Sequence, residues 1–140
     1  MDKMIKRTYE EMIRIQFKRW QRHVPSISLE HQCALALPPD EFCVALINAS
    51  DGSQYHFTNK AVVHSAAQEA QNIPYKEIIG CYWMPEKTRN KDQDWEKIVL
   101  SMKNRQEEVL DNLSHAVFPT AHLFSWFLRQ KNITVSRTVD

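Results

Sequence analysis

Only two glycines, Gly52 and Gly80, occur in the 140 residues. A phosphate-binding loop and a dinucleotide fingerprint both need glycines a few residues apart, so both are excluded. Long apolar runs are missing as well. No segment approaches the roughly 20 apolar residues that span a bilayer. Lys6, Arg7, Glu10, Glu11 and Arg14 interrupt any stretch that would serve as a signal-peptide core. The three cysteines, Cys33, Cys43 and Cys81, have neither CxxC nor metal-finger spacing. With apolar neighbours, as in Phe42-Cys43-Val44, they read as buried free thiols of a reducing compartment, and the expected location is cytoplasmic. Charge of one sign is also lacking. A formal net charge of +1 gives no global field to draw in nucleic acid or an anionic membrane.

What is present is a globular mixture, 43% hydrophobic and 25% charged. The length suits one domain, 1–140, with a core large enough to need no staple. Segment 1–24 reads as an N-terminal helix: Ile5, Tyr9, Met12, Ile13, Phe17 and Trp20 recur at spacings of three and four, and Pro25 follows. Over 2–23, seven basic residues face three acids, so the remainder of the chain is net acidic.

After the Pro38-Pro39-Asp40 turn, 41–48 suits a buried strand through Phe42, Val44, Leu46 and Ile47. Asp51-Gly52 marks a tight turn. Residues 54–65 read as strand, kink, strand; 66–72 as a polar loop; 73–84 as a further strand; 85–94 as a charged loop. Residues 95–103 continue the strands. For 104–117 a hairpin return strand is preferred to a helix. Residues 119–131 form an amphipathic helix on Leu123, Phe124, Phe127 and Leu128, with Pro119 in its first turn, and 132–140 reads as a frayed tail. The class is therefore α+β: a helix, sequential antiparallel strands, then a terminal helix that covers the sheet. Phe42, Val44, Leu46, Phe57, Val63, Tyr75, Ile78, Ile98 and Leu100 are the expected core.

The run Tyr55-His56-Phe57-Thr58-Asn59-Lys60-Ala61-Val62-Val63, followed by Ile73-Pro74-Tyr75-Lys76-Glu77-Ile78, resembles the bacterial pleckstrin-homology-like domains. Those domains place a Thr-Asn/Asp-Lys turn between two strands, then a variable loop and an I-x-Y-x-x-I strand. The likeness covers 37–131. It implies a bent antiparallel sheet, a partly open barrel, closed at one end by the C-terminal helix, with Tyr75 and Ile78 as core strand residues. It also implies a binding scaffold without a common active site. Members commonly carry a more basic residue where Ala61 stands, so no ligand residue is carried over.

Chemistry-bearing residues give few patterns. None of the six histidines forms a compact ligand pair, although His56 and His64 flank the Thr58–Lys60 turn and a metal between them is the sharper alternative to exposed strand positions. Ser114-His115 lacks a positioned acid, and a hydrolase would require Ser, His and Asp from separate segments. The expectation is no catalytic residue, no metal and no cofactor. The acids Asp92, Asp94, Glu96, Glu107, Glu108 and Asp111 cluster around the 97–112 hairpin, either as plain solvated surface or as a dock for a basic partner. The candidate partner-binding residues are Trp83, Asp92, Asp94, Trp95 and Glu96, which join aromatic area to charge. The expected role is a non-enzymatic protein-binding module, a small immunity- or antitoxin-type inhibitor that sequesters a basic toxin or nuclease domain. No small-molecule substrate or nucleic acid is expected. The runner-up is a peripheral lipid-headgroup module using the basic helix, or an accessory adaptor.

Overall fold

A computed structural model describes residues 7–29, 35–67, 69–86, 95–130 and 132–135. Helix α1 (Tyr9–Trp20) is capped by Thr8, whose hydroxyl accepts from the Glu11 N–H at 3.1 Å. Glu10 and Glu11 lie in its first turn and Lys18 and Arg19 in its last, each favourable to the helix dipole. Its apolar stripe buries Tyr9, Met12, Ile13 and Phe17.

Strands β1 (Ile27–Ser28), β2 (Cys43–Asn48), β3 (Gln54–Thr58), β4 (Ala61–Ala66) and β5 (Glu69–Pro74) form one antiparallel sheet in sequence order. Strands β6 (Ile78–Glu86), β7 (Trp95–Met102) and β8 (Glu107–Leu110) form a second antiparallel sheet. Helix α2 (Val117–Arg129) packs on α1, β6 and β7. The fold is α+β, two sheets between helices near either end of the chain, and the described strands do not close into a barrel.

The two sheets and both helices share one apolar cluster that includes Phe17, Val44, Phe57, Tyr75, Ile98, Leu100 and Phe124. Phe17 meets Phe57 edge-on at 5.0 Å, and Tyr9 meets Phe127 edge-on at 4.9 Å. All nine expected core residues are buried, but Leu46 and Val63 stand outside that cluster. They flank His56 in one cross-strand row, on the opposite face of the first sheet from Phe57.

A buried polar knot holds the first sheet to the start of the second. Asn59 is fully buried. Its Oδ1 accepts from the Phe42 N–H at 3.0 Å, and its Nδ2 donates to the Asp40 carbonyl at 3.0 Å. The Thr58 hydroxyl donates to Glu41 at 2.7 Å and accepts from the Ala61 N–H at 2.9 Å. Tyr75 donates its hydroxyl proton to the Thr58 carbonyl at 2.8 Å, and Lys60 pairs with Asp40.

Four expectations change. The segment read as a polar loop holds β5. Its Glu69, Ala70, Gln71 and Asn72 are exposed, so the strand exists through backbone pairing with β4 and leaves no period-two signal in the side chains. Tyr75 opens a single 3-10 turn, Tyr75–Glu77, instead of lying in a strand. Leu128 stays exposed and does not join the buried face of α2. The expected frayed tail is docked over 132–135: Thr134 bridges Thr8 in parallel, with Tyr9 N–H to the Thr134 carbonyl at 3.2 Å and Thr134 N–H to the Arg7 carbonyl at 2.9 Å. The hairpin over 104–117 is present, with its return strand at β8, followed by a 3-10 turn at Ser114–Ala116.

Leu123 and Phe124 are fully buried. Leu123→Ala should cost about 2–5 kcal/mol and Phe124→Ala about 3–5 kcal/mol by transfer and cavity terms. Urea melts read this directly, and an unchanged midpoint in both would mean that α2 does not cover the sheets.

Candidate functional site

The exposed large apolar side chains concentrate on β6 and its neighbours. Ile79 is 58% exposed, and Tyr82, Trp83 and Met84 follow it on the same strand. β6 is an edge of its sheet, and Pro85, which has no N–H to offer a ladder, suits such an edge. Side chains alternate along it. Trp83 is cross-paired with Ile98, and Pro85 with Glu96, so Trp83 and Glu96 are diagonal neighbours on the face that α2 covers. Tyr82 shares the other face with Val99 and the exposed Val109, and its hydroxyl bonds Glu107.

Trp83 stands at the seam between β6 and α2. It is 39% exposed. Its ring meets Phe118 at 5.5 Å and His122 at 6.4 Å, both edge-on. Phe118 is also exposed. One oxygen of Glu96, Oε2, is shut off from solvent and meets no hydrogen-bond donor among the described residues. A carboxylate oxygen in that state carries an unmet cost of about 1–3 kcal/mol, which a donor from outside would relieve.

The five expected partner-binding residues divide accordingly. Trp83 and Glu96 come together. Trp95 is paired through its backbone to Glu86, and its side chain is outside the described set. Asp92 and Asp94 lie outside the described residues. The other expected acids are engaged separately: Glu107 by Tyr82, Glu108 by Gln71, and Asp111 by Tyr55. Phe118 and His122 were missed in the sequence. Their spacing of four defines a second stripe on α2, opposite the strongly apolar one, and that stripe was the available signal.

A second polar cluster assembles Asp51, Ser53 and His64 from the β2–β3 turn and β4. The Ser53 hydroxyl donates to Asp51 Oδ1 at 2.6 Å, and His64 Nε2 lies 2.9 Å from the same Oγ. His64 stacks on Tyr55 at 4.1 Å, and the Tyr55 hydroxyl donates to the Asp111 carbonyl at 2.9 Å. The serine proton is directed at Asp51 and not at His64. The arrangement locks the turn at Gly52, whose φ of +89° requires the left-handed region. Chiefly the Ser53 hydrogen bond holds the Asp51 carboxyl below the usual range. Burial, with the Asp111 charge second, pushes the Tyr55 hydroxyl well above its usual range, so it remains a proton donor.

His56 and His64 do not approach one another. His56 pairs with Val63 and His64 with Tyr55, so the two rings occupy opposite faces of the sheet. Among the described residues no group of three His, Cys, Asp or Glu side chains is placed to hold a metal.

The thiols need a correction. Cys43 is disulfide-bonded, so the expectation of three free thiols fails, and the argument for a reducing compartment loses that support. Spacing alone carries no information on which thiols the fold brings together. Cys33 lies outside the described residues. Cys81 is a free, half-buried thiol that burial pushes up to about 11. No helix among the described residues is long and apolar enough to cross a membrane.

No family model, curated protein or solved structure matches this chain.

Two outcomes follow for these groups. The Asp51 carboxyl is depressed in the folded state, so its contribution is present above its unfolded value of about 3.9 and fades as pH falls through the lower folded value. Asp51→Asn should therefore melt earlier than the parent at neutral pH and converge with it in acid. Parallel melting curves across the whole pH range would contradict the assignment. Cys81, protonated at neutral pH, should react with iodoacetamide far more slowly in the folded chain than in urea. Equal rates in mass spectrometry would show an open, ionised thiol.

Proposed function

We propose that this chain is a non-enzymatic protein-binding module on a pleckstrin-homology-like scaffold, and specifically a small bacterial immunity- or antitoxin-type inhibitor that sequesters a toxin domain. The observation that carries the reading is Trp83 beside the solvent-excluded Oε2 of Glu96, which has no donor among the described residues. An aromatic anchor next to a carboxylate in want of a donor suits a partner that presents Arg or Lys. Phe118 and the exposed residues of β6 extend the apolar area around that anchor.

The order of elements supports the scaffold: antiparallel strands, the buried Thr58–Asn59 turn and a C-terminal helix against the sheets. The lipid-headgroup alternative is weakened because α1 spends Tyr9, Met12, Ile13 and Phe17 on its own core. A cytoplasmic site of action belongs to the inhibitor reading, and the Cys43 disulfide stands against it. Alkylation of the protein taken from its source cells distinguishes the two.

The decisive experiment is neutralisation. Cells expressing a basic toxin domain encoded beside this chain should survive only when the chain is co-expressed. Trp83→Ala and Glu96→Lys should each weaken the purified complex by about 2 kcal/mol or more, as expected of interface anchors, with melts close to the parent. Full protection by the double variant would remove this surface, and no protection by the parent would end the inhibitor reading.

A further inference from the structure

The exposed side of the α1–α2 contact holds a feature that the Trp83 surface does not use. Ile15, Arg19 and Trp20 of α1 and His122, Trp126 and Arg129 of α2 line a cavity of about 380 Å³. Gln16, at its base, is committed: its Nε2 donates to the Pro119 carbonyl at 3.3 Å and ties the two helices together. The floor is apolar and fixed, because Trp20 and Trp126 both pack against the main cluster. Ile15 is 41% exposed at the rim, an apolar side chain that α1 leaves in water.

Among the described residues that line this cavity, the charged side chains are Arg19 and Arg129. α1 has no acid after Glu11, and α2 has none at all. The ion pairs among the described residues are Arg14–Glu10 and Lys60–Asp40, so neither Arg19 nor Arg129 meets a carboxylate there. Arg129 gives only its Nε proton to the Ser125 carbonyl, at 3.3 Å. A third cation, Arg7, lies 5.6 Å from the centre of the Trp126 ring. A hydrophobic floor with several cations and no anion is complementary to a ligand that is apolar at its centre and negative at its edges.

We propose that this groove binds an acidic segment of a protein partner, in which an apolar side chain rests on Trp20 and Trp126 and flanking carboxylates pair with Arg19 and Arg129. Arg guanidinium groups favour that role because they engage carboxylates bidentately. Single-stranded nucleic acid is the poorer fit. It needs open aromatic faces for stacking, whereas both rings are packed on the core and Arg7 lies over Trp126. A bilayer is poorer too, because it rewards apolar side chains that stand proud of the surface, and here the tryptophans form the floor of a recess. The groove and the Trp83 surface adjoin at His122, 6.4 Å from the Trp83 ring. The proposal does not rest on the inhibitor reading, since Arg19 and Arg129 belong to neither Trp83 nor Glu96.

The test uses the full chain and short fluorescein-labelled peptides in which Leu, Phe or Trp is flanked by Glu, with Lys-flanked versions as controls. Anisotropy at low salt should show binding of acidic peptides only, weakening as salt rises. Arg19→Gln with Arg129→Gln should reduce affinity about tenfold, and Arg19→Glu with Arg129→Glu should abolish it. Both arginines are exposed, so the variants should melt with the parent. Trp83→Ala should leave peptide binding intact, which separates this site from the neighbouring one. No binding by any acidic peptide, or equal binding by the reversed variant, overturns the proposal. So does arginine-dependent retention on phosphatidylserine vesicles or oligothymidylate without peptide binding.

Discussion

The side chain of Asn59 holds the backbone at the start of β2 from both sides. Its amide accepts from Phe42 and donates to Asp40, and its own N–H reaches the Phe42 carbonyl at 3.1 Å. Thr58 and Asn59 are both fully buried, so bulk solvent does not reach the site. Losing the amide would strand backbone groups at about 1–3 kcal/mol each. The same knot takes in Tyr75, at the point where β5 gives way to the 3-10 turn and the chain passes into the second sheet. The relative placement of the two sheets, and with it the position of β6 under α2, depends on this cluster of short polar bonds.

The fold was legible wherever burial imposes a period. Tyr9, Met12, Ile13 and Phe17 announce α1, and Phe42 to Ile47 announce β2, because each set must hide a face. β5 was illegible for the opposite reason. Its Glu69 to Asn72 are exposed and only Ile73 reaches the core, so four of its six positions leave no period to read. The docking of 132–135 was hidden as well: a two-residue parallel bridge to Thr8 depends on a contact that local sequence does not encode. At the candidate site, Trp83 and Glu96 were readable as an aromatic and an acid near a charged loop. Their shared face required the β6–β7 register, and a slip of one residue would have separated them. Sequence proximity also does not show which of the acids already have partners. Glu107, Glu108 and Asp111 each bond a residue on another strand.

The surface is divided by chemistry although the total charge is close to zero. Trp83 and Glu96 combine apolar area with a carboxylate short of a donor, whereas the α1–α2 groove combines apolar area with arginines short of an acceptor. Both depend on α2, whose inner stripe is used up on the core and whose outer stripe, from Phe118 through His122 to Arg129, borders each of them. A helix that packs on α1 and the second sheet with one side has the other available for recognition. A chain with so few glycines has little loop freedom to spare for that purpose.

The Thr8–Thr134 bridge joins residues separated by almost the whole chain. During synthesis α1 leaves the ribosome well before the segment that pairs with Thr8. The edge-on packing of Tyr9 against Phe127 must wait for the same late segment. Until then Tyr9 can meet Tyr75, at 4.9 Å, but not Phe127, and that end of α1 is left partly open for a chaperone to hold. A product truncated before Phe127 would keep that end partly open, and proteases act on such incompletely folded chains.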